Sequence, residues 1–279
     1  MYCDYWQLRQ RPFENSHRSE FLFAHEAFQA VELKVRYVIE NRLGAALLVG
    51  PSGCGKTFLT HTLLEKLPET IRPVIRLEYP YFSARELLSY VAAELGGEEP
   101  RPQAGADELV RSIEKTLRRL AQAGQHPVII IEGAHLIEDV AAFHAMQLLI
   151  DLRGKVSHQL TLLILGEPAL IPRLKRTGSF VERLALRGVL SPLNENETFD
   201  YIQHRLQVAG ADRPLLDDDA LAAVFRHSGG VPLQINHLCE LALLVAFADS
   251  SQSVTAAQVE AVIDEIPGLN GGDAFLHAA

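Results

Sequence analysis

Apolar positions recur along the chain with two different periods. Short apolar runs at Ala45–Val49, Val74–Leu77, Val128–Ile131 and Leu160–Leu165 read as buried strands, with Leu186–Leu190 as a fifth. Between them the spacing turns helical. Phe28, Val31, Val35, Val38 and Ile39 mark a helix over 25–41, and Phe58 to Leu67 has the same rhythm. Helices are predicted at 83–95 and 107–123, the second with Leu109, Ile113, Leu117 and Leu120 on one stripe, and a Gly/Glu/Pro-rich loop over 96–105 separates them. Phe143, Met146, Leu149 and Ile150 mark a further helical face. Strands alternating with helices predict a parallel sheet with right-handed crossovers.

Beyond Pro192 the pattern is helical throughout. Asn194 with Glu197 starts one helix, Asp217 caps the next, and Pro232 opens a third after Gly229-Gly230. The third carries the stripe Ile235, Leu238, Cys239, Ala242 and Val245. Thr255 with Gln258 forms a capping box for a last helix bearing Val259, Val262 and Ile266. At the other end, residues 1–28 hold Tyr5, Trp6, Leu8, Pro12, Phe13, Phe21, Leu22 and Phe23, too many large apolar groups for a free tail. The expected division is an aromatic segment and helix packed on the core over 1–43, an α/β domain over 44–193, a helical domain over 194–267 and a disordered tail over 268–279.

The stretch that gives this pattern a chemistry comes directly after the first strand. Gly50-Pro51-Ser52-Gly53-Cys54-Gly55-Lys56-Thr57 reads G-x-x-x-x-G-K-[ST], the Walker A phosphate loop, and Phe58 continues into the helix. Gly50, Gly53 and Gly55 let backbone N–H groups converge on phosphate oxygens, and the helix N-terminus adds partial positive charge. Lys56 is expected to reach the β- and γ-phosphates of ATP, and the Thr57 hydroxyl to ligate Mg²⁺.

Composition narrows the setting. The 279 residues are 48% hydrophobic and 22% charged, as in an ordinary globular protein. The apolar runs are too short to span a bilayer, and the N-terminus has no signal-peptide core, so a cytoplasmic protein is expected. The formal net charge of −9 does not advertise a nucleic-acid binder. Basic clusters at Arg111, Lys115, Arg118 and Arg119 and at Arg173, Lys175 and Arg176 read as solvated helix faces. Cys3, Cys54 and Cys239 suit neither a disulfide framework nor a zinc site.

A phosphate loop on a five-strand α/β core, followed by a helical lid, resembles the P-loop AAA+ ATPases. Leu8–Phe13, Glu20–Phe23, the Walker A stretch, Gly166–Leu170, Glu182-Arg183 through Leu193, Tyr201–Leu206, Ser228–Pro232 and Ile235–Cys239 resemble the general secretion pathway protein A (ExeA) family, related to ORC1-like and transposition-type AAA+ ATPases. This resemblance implies ATP and Mg²⁺ as cofactors. It also supplies the expected roles. Glu132 stands where the family has the Mg²⁺-organising Asp, and Gly133 replaces the carboxylate that polarises the attacking water. Glu167 stands at a Gln sensor position after Gly166, and Leu233 replaces the lid arginine that touches the γ-phosphate. Arg183 is expected to act as an arginine finger on a neighbouring subunit, with Arg187 a weaker candidate. Cys54 reads as a small filler in the loop, or as a redox residue whose pKa the helix N-terminus lowers.

The expected function is an ATP-binding AAA+ ATPase acting as a nucleotide-dependent assembly factor or switch of the secretion/export type, hydrolysing slowly because Gly133 has no side chain. The alternatives are a non-hydrolysing ATP-binding regulator and a DNA-transaction regulator of the transposition type. The expected partners are further copies of the chain in an ATP-dependent ring and an unidentified protein. DNA stays open but is not supported by the net charge.

Overall fold

Residues 2–16, 18–78, 81–96, 101, 103–152 and 159–265 are described by the computed structural model. In chain order the elements are α1 (Tyr2–Tyr5), α2 (Glu26–Glu40), β1 (Ala45–Val49), α3 (Lys56–Lys66), β2 (Val74–Leu77), α4 (Ala84–Glu94), α5 (Ala106–Gln122), β3 (Val128–Ile131), α6 (Val140–Asp151), β4 (Thr161–Gly166), α7 (Leu170–Arg176), β5 (Leu186–Val189), α8 (Glu195–Val208), α9 (Asp218–Ser228), α10 (Pro232–Ala248) and α11 (Ala256–Glu265). The described residues gather into two compact units, one within 27–50 and 59–190, the other within 1–26, 51–58 and 191–265. The expected tail over 268–279 and the helical position of Ile266 lie outside the described residues.

The first unit is built on one five-stranded sheet, ordered β2-β3-β4-β1-β5, with every neighbouring pair parallel. All residues of β1, β3 and β4 are buried, so these strands need no polar face and read as continuous apolar runs. The edge strands β2 and β5 are only partly buried and carry the charged residues Arg76 and Arg187. Val49 pairs with Gly166 and Leu77 with Ile131, but Ile131 pairs with Ile164, so β1 and β4 end level with each other and run two residues past the ends of β2 and β3. The helices cover this sheet with the predicted stripes: Leu109, Ile113 and Leu117 of α5 and Phe143, Met146, Leu149 and Ile150 of α6 are buried in its core. Ser83 caps α4 in a full capping box with Glu86, a signal the sequence carried three residues apart. Gly188 on β5 is required by close approach, since a Cβ there would sit 2.9 Å from Val31 Cγ1 on α2.

The second unit is a helical cluster. The Asn194 side chain accepts from the Glu197 N–H and Glu197 accepts from the Asn194 N–H, which starts α8 as predicted. Asp217 caps α9 through the Ala220 N–H at 2.7 Å. That helix ends on Gly229 at φ 56°, and Pro232 then begins α10. At α11 the Gln258 side chain accepts from the Thr255 N–H at 2.8 Å. Tyr2, Trp6, Leu8 and Phe13 of the N-terminal segment are buried in this helical cluster. Trp6 Nε1 donates to the Leu243 carbonyl at 3.2 Å. Arg205 on α8, 5% exposed, holds the segment by donating to the carbonyls of Pro12 at 2.6 Å and Glu14 at 2.8 Å. Its guanidinium lies 4.7 Å from the Phe21 ring centroid.

Candidate nucleotide-phosphate site

The glycines of the phosphate loop sit where glycine is needed. Gly53 has φ 79° and Gly55 φ 87°, backbone that L side chains rarely adopt. Gly50 is the residue directly after β1, and a Cβ on it would run into the Leu190 carbonyl. The sharp turn from a buried strand into α3 therefore depends on residue types chosen for backbone shape, as a loop that wraps an anion requires. Lys56 opens α3, and its ammonium lies back across the loop, donating to the Pro51 carbonyl at 2.8 Å. Ser52 is exposed, while Pro51, Gly53, Gly55, Thr57 and Phe58 are half-buried.

Cys54 is buried at 6% exposure, and burial pushes its thiol up to about 11 against the opposing pull of Lys56. The expectation of a helix-activated thiolate is corrected: desolvation outweighs the nearby positive charge, and Cys54 fills space.

The start of α10 packs onto the same loop. The Leu233 N–H, one of the donors left open at a helix N-terminus, donates to the Gly53 carbonyl at 3.3 Å. A Cβ on Gly53 would lie 2.7 Å from Leu233 Cβ and 3.0 Å from Val231 Cγ1. Leu233, expected as the position of a lid sensor, thus touches the loop through its backbone and Cβ, with 42% of the residue exposed.

In the sheet unit, the carboxyl ends of β3 and β4 gather charged residues beside Gly50, whose N–H donates to the Gly166 carbonyl at 3.2 Å. Glu132 continues β3 by one residue, its N–H donating to the Leu77 carbonyl at 2.9 Å. Its Oε1 accepts from Arg76 Nη2 of β2 at 2.6 Å, with the two side chains 13% and 22% exposed. Arg76 Nη1 lies 2.9 Å from His61 Nε2 on α3. Arginine has no acceptor, so that imidazole nitrogen accepts. Gly133 comes next, at φ 65°, and begins a short 3₁₀ turn over Ala134–Leu136. Just past β4 the Glu167 N–H donates to His135 Nδ1 at 3.3 Å, and Glu167 Oε1 lies 3.5 Å from His135 Nε2.

Arg76, His61 and His135 were missed in the sequence. Arg76 had a signal, as the one charge in an apolar strand run; the contact it makes is tertiary and had none.

Arg183 lies in a 3₁₀ segment before β5, and its Nε donates to both carboxylate oxygens of Asp151, at 2.9 and 3.0 Å. Its Nη1 also donates to the Ser179 carbonyl at 3.1 Å. Arg187 is exposed on β5.

The loop suits a polyphosphate: oriented N–H groups, a helix N-terminus and one ammonium. The fit to Mg²⁺ is poorer. Of the two expected ligands, Thr57 brings a neutral hydroxyl, and the one carboxylate, Glu132, already has its charge matched by Arg76. Among the described residues no cluster of three or more His, Cys, Asp or Glu could hold a metal ion.

Residues 40–174 match the family model described as an AAA domain. Over 272 residues the chain is 29% identical to general secretion pathway protein A of Aeromonas hydrophila, covering 96% of this chain and 49% of that protein, so it spans about half the length of that relative. Among solved structures, Cdc6p from Pyrobaculum aerophilum is similar at a TM-score of 0.71 and 17% identity, over 92% of this chain and 71% of that one. The Aeropyrum pernix ORC2 protein, solved with ADPNP and ADP, is similar at 0.68 and 12% identity, again over 92% and 71%. A RuvB structure from Thermotoga maritima is similar at 0.54 and 15% identity, over 87% and 71%. Among the described residues no helix is long and apolar enough to cross a membrane. With the phosphate loop, the parallel sheet and the helical C-terminal region all in place, residues 40–174 match the AAA domain model, and the chain has the P-loop AAA+ fold of the ORC/Cdc6 kind.

Proposed function

We propose that this chain is a nucleotide-dependent switch that binds ATP on the 50–58 loop and hydrolyses it slowly, acting as an assembly factor of the secretion type. The observation that carries the reading is the contact between the phosphate loop and the start of α10, where Leu233 N–H meets the Gly53 carbonyl and Leu233 Cβ covers Gly53. Phosphates that draw the loop N–H groups and Lys56 toward them act directly on the residues that seat this helix. Lys56 must leave the Pro51 carbonyl to meet the terminal phosphates, a local rearrangement of the kind a ligand can drive by binding one state better than the other.

Slow turnover is argued from the side chains at the strand ends. Gly133 offers nothing to polarise water, and Leu233 offers no charge to the γ-phosphate. Mg²⁺ carried by the nucleotide would supply charge neutralisation on the phosphate oxygens, and the Thr57 hydroxyl is the group of the loop proposed to meet it. The secretion setting is supported by the likeness to general secretion pathway protein A. A cytoplasmic location and assembly with copies of itself are parts of the same proposal.

Nucleotide binding and phosphate release measured on one sample test the reading. Tight ATP binding with phosphate release far below one per second supports a switch. Rapid steady turnover, or no ATP binding at all, rejects it.

A further inference from the structure

The sheet unit has a cavity of about 230 Å³ between α7, the 3₁₀ segment Gly178–Arg183 and the start of β5. Its floor is apolar, with Ile171 and Leu174 of α7 and Leu184. Exposed Val181 and two exposed cations, Lys175 and Arg187, form the rim. A cavity of roughly 150 Å³ takes a benzene ring, so this one has room for a branched aliphatic side chain. Among the described residues neither cation has a hydrogen-bond or ion-pair partner for its side chain. On a chain of net charge −9 that is an unmatched positive patch. An apolar floor under a doubly cationic rim suits an apolar side chain with carboxylates beside it. The same unit carries that combination elsewhere on its surface. Val140, 55% exposed at the start of α6, directly follows Glu138 and Asp139. Glu138 is exposed and also has no side-chain partner among the described residues. The backbone of this projection is held in place. Arg173 Nη1 donates to the carbonyls of His135 at 2.7 Å and Ile137 at 2.9 Å, and Asp139 accepts from the Ala141 N–H at 2.9 Å. A projection fixed in advance has little freedom to lose on docking.

We propose that the cavity receives Val140 of a second copy of this chain, with Glu138 and Asp139 of that copy against Lys175 and Arg187. The charges match, two carboxylates to two cations, on a chain that otherwise repels its own copies. The inference gives a contact surface to the self-assembly in the proposed function and rests on that part of it. It uses residues of the sheet unit alone, and no nucleotide. The projecting and receiving patches differ, so the contact is heterologous. One anchoring side chain and its ionic rim make a small, weak contact, with a dissociation constant on the order of 0.1–1 mM.

The experiment is sedimentation equilibrium of the full chain without nucleotide, up to roughly millimolar protein. One variant reverses the projection, Glu138→Lys; another reverses the rim, Lys175→Glu with Arg187→Glu. None of these side chains has an internal partner to lose, so both variants should fold as the wild type does. Each alone should associate at least about tenfold more weakly than the wild type. Mixed in equal amounts they should associate with each other within about threefold of the wild type, because the reversed projection meets the reversed rim and the unchanged projection meets the unchanged rim. Val140→Thr, similar in shape but polar, should also weaken the wild-type contact at least about tenfold. Variants that associate as the wild type does, or a mixture that stays monomeric, overturn the inference. Repeating the runs with ATP keeps the two readings apart. A wild type that is monomeric without ATP overturns this inference, whatever ATP does; a mass increase on adding ATP then leaves the proposed assembly standing on another surface.

Discussion

At Lys56 the sequence motif and the structure meet. The Walker A spacing was legible because each of its residues answers a local demand, and the left-handed φ values at Gly53 and Gly55 meet the demand the motif implies. Lys56→Ala should weaken ATP binding at least about tenfold, roughly 1.4 kcal/mol, in a titration at fixed salt. Equal affinities would reject Lys56 as a phosphate contact. Gly133 is the opposite case. Its identity was legible as a missing carboxylate; its φ of 65° was not, because backbone shape at a strand end is set by the turn the chain makes next, here the 3₁₀ turn over Ala134–Leu136. A side chain there must adopt left-handed backbone at a cost of about 1–2 kcal/mol. Gly133→Glu should therefore lower the melting temperature while raising phosphate release, since a water-polarising base is typically worth about two to four orders of magnitude, roughly 3–5 kcal/mol of barrier. A loss of stability with no gain in phosphate release would count against Gly133 as the cause of slow turnover. If wild-type release is instead fast and disappears in Glu167→Gln, Glu167 rather than a residue at 133 orients the water.

Among the elements, α8 shows how far local signals reach. Asn194 and Glu197 announced its first turn and the structure has both halves of that box. Nothing announced that Arg205 would hold the Pro12 and Glu14 carbonyls, because those partners are 193 and 191 residues away. Next to it, burial and the Arg205 charge both depress the pKa of His204, outweighing a backbone hydrogen bond at Leu22. His204 Nε2 is buried without a hydrogen-bond partner, and its ring lies 5.8 Å from that of Phe23. Proton counting gives the sign. The unfolded chain protonates His204 near about 6.5, and the folded chain only at lower pH. Stability is thus fully present above about pH 6.5 and is lost as pH falls from there toward the folded pKa. Urea midpoints followed by helical signal should drop between pH 7.5 and 5.5 in the wild type. In His204→Gln they should drop less; identical drops would assign the pH dependence to other groups.

The whole molecule was legible in outline because the four apolar runs ahead of Leu186 are strands, three of them wholly buried, and such runs are hard to mistake when helical spacing separates them. The membership of the two units was not. Hydrophobic pattern says that Trp6 and Phe13 are buried, and only the fold says that they are buried among α8 to α11. The same limit governs assembly. Arg183 was picked out for its place before β5 as a group that would reach another copy's nucleotide, and in the structure its Nε holds both oxygens of Asp151. A trans-acting role then requires an exchange, in which phosphate replaces Asp151 as the counter-ion of a side chain 30% exposed. Two triphosphate oxygens can match a carboxylate in charge and geometry, so under the proposed assembly the exchange is feasible only when nucleotide is present, and the proposal predicts ATP-dependent self-association. Light scattering at tens of micromolar protein should show a mass increase on adding ATP in wild type. In Asp151→Asn, which frees Arg183 from its internal counter-ion, the same increase should occur at lower ATP. In Arg183→Ala it should be absent while ATP binding persists. The net charge of −9 opposes contact between copies, so raising salt should favour the larger species up to the point where the arginine–phosphate contact is itself screened. A wild type that stays monomeric with ATP and Mg²⁺ would leave Arg183 and Asp151 as a local brace of the 3₁₀ segment against α6.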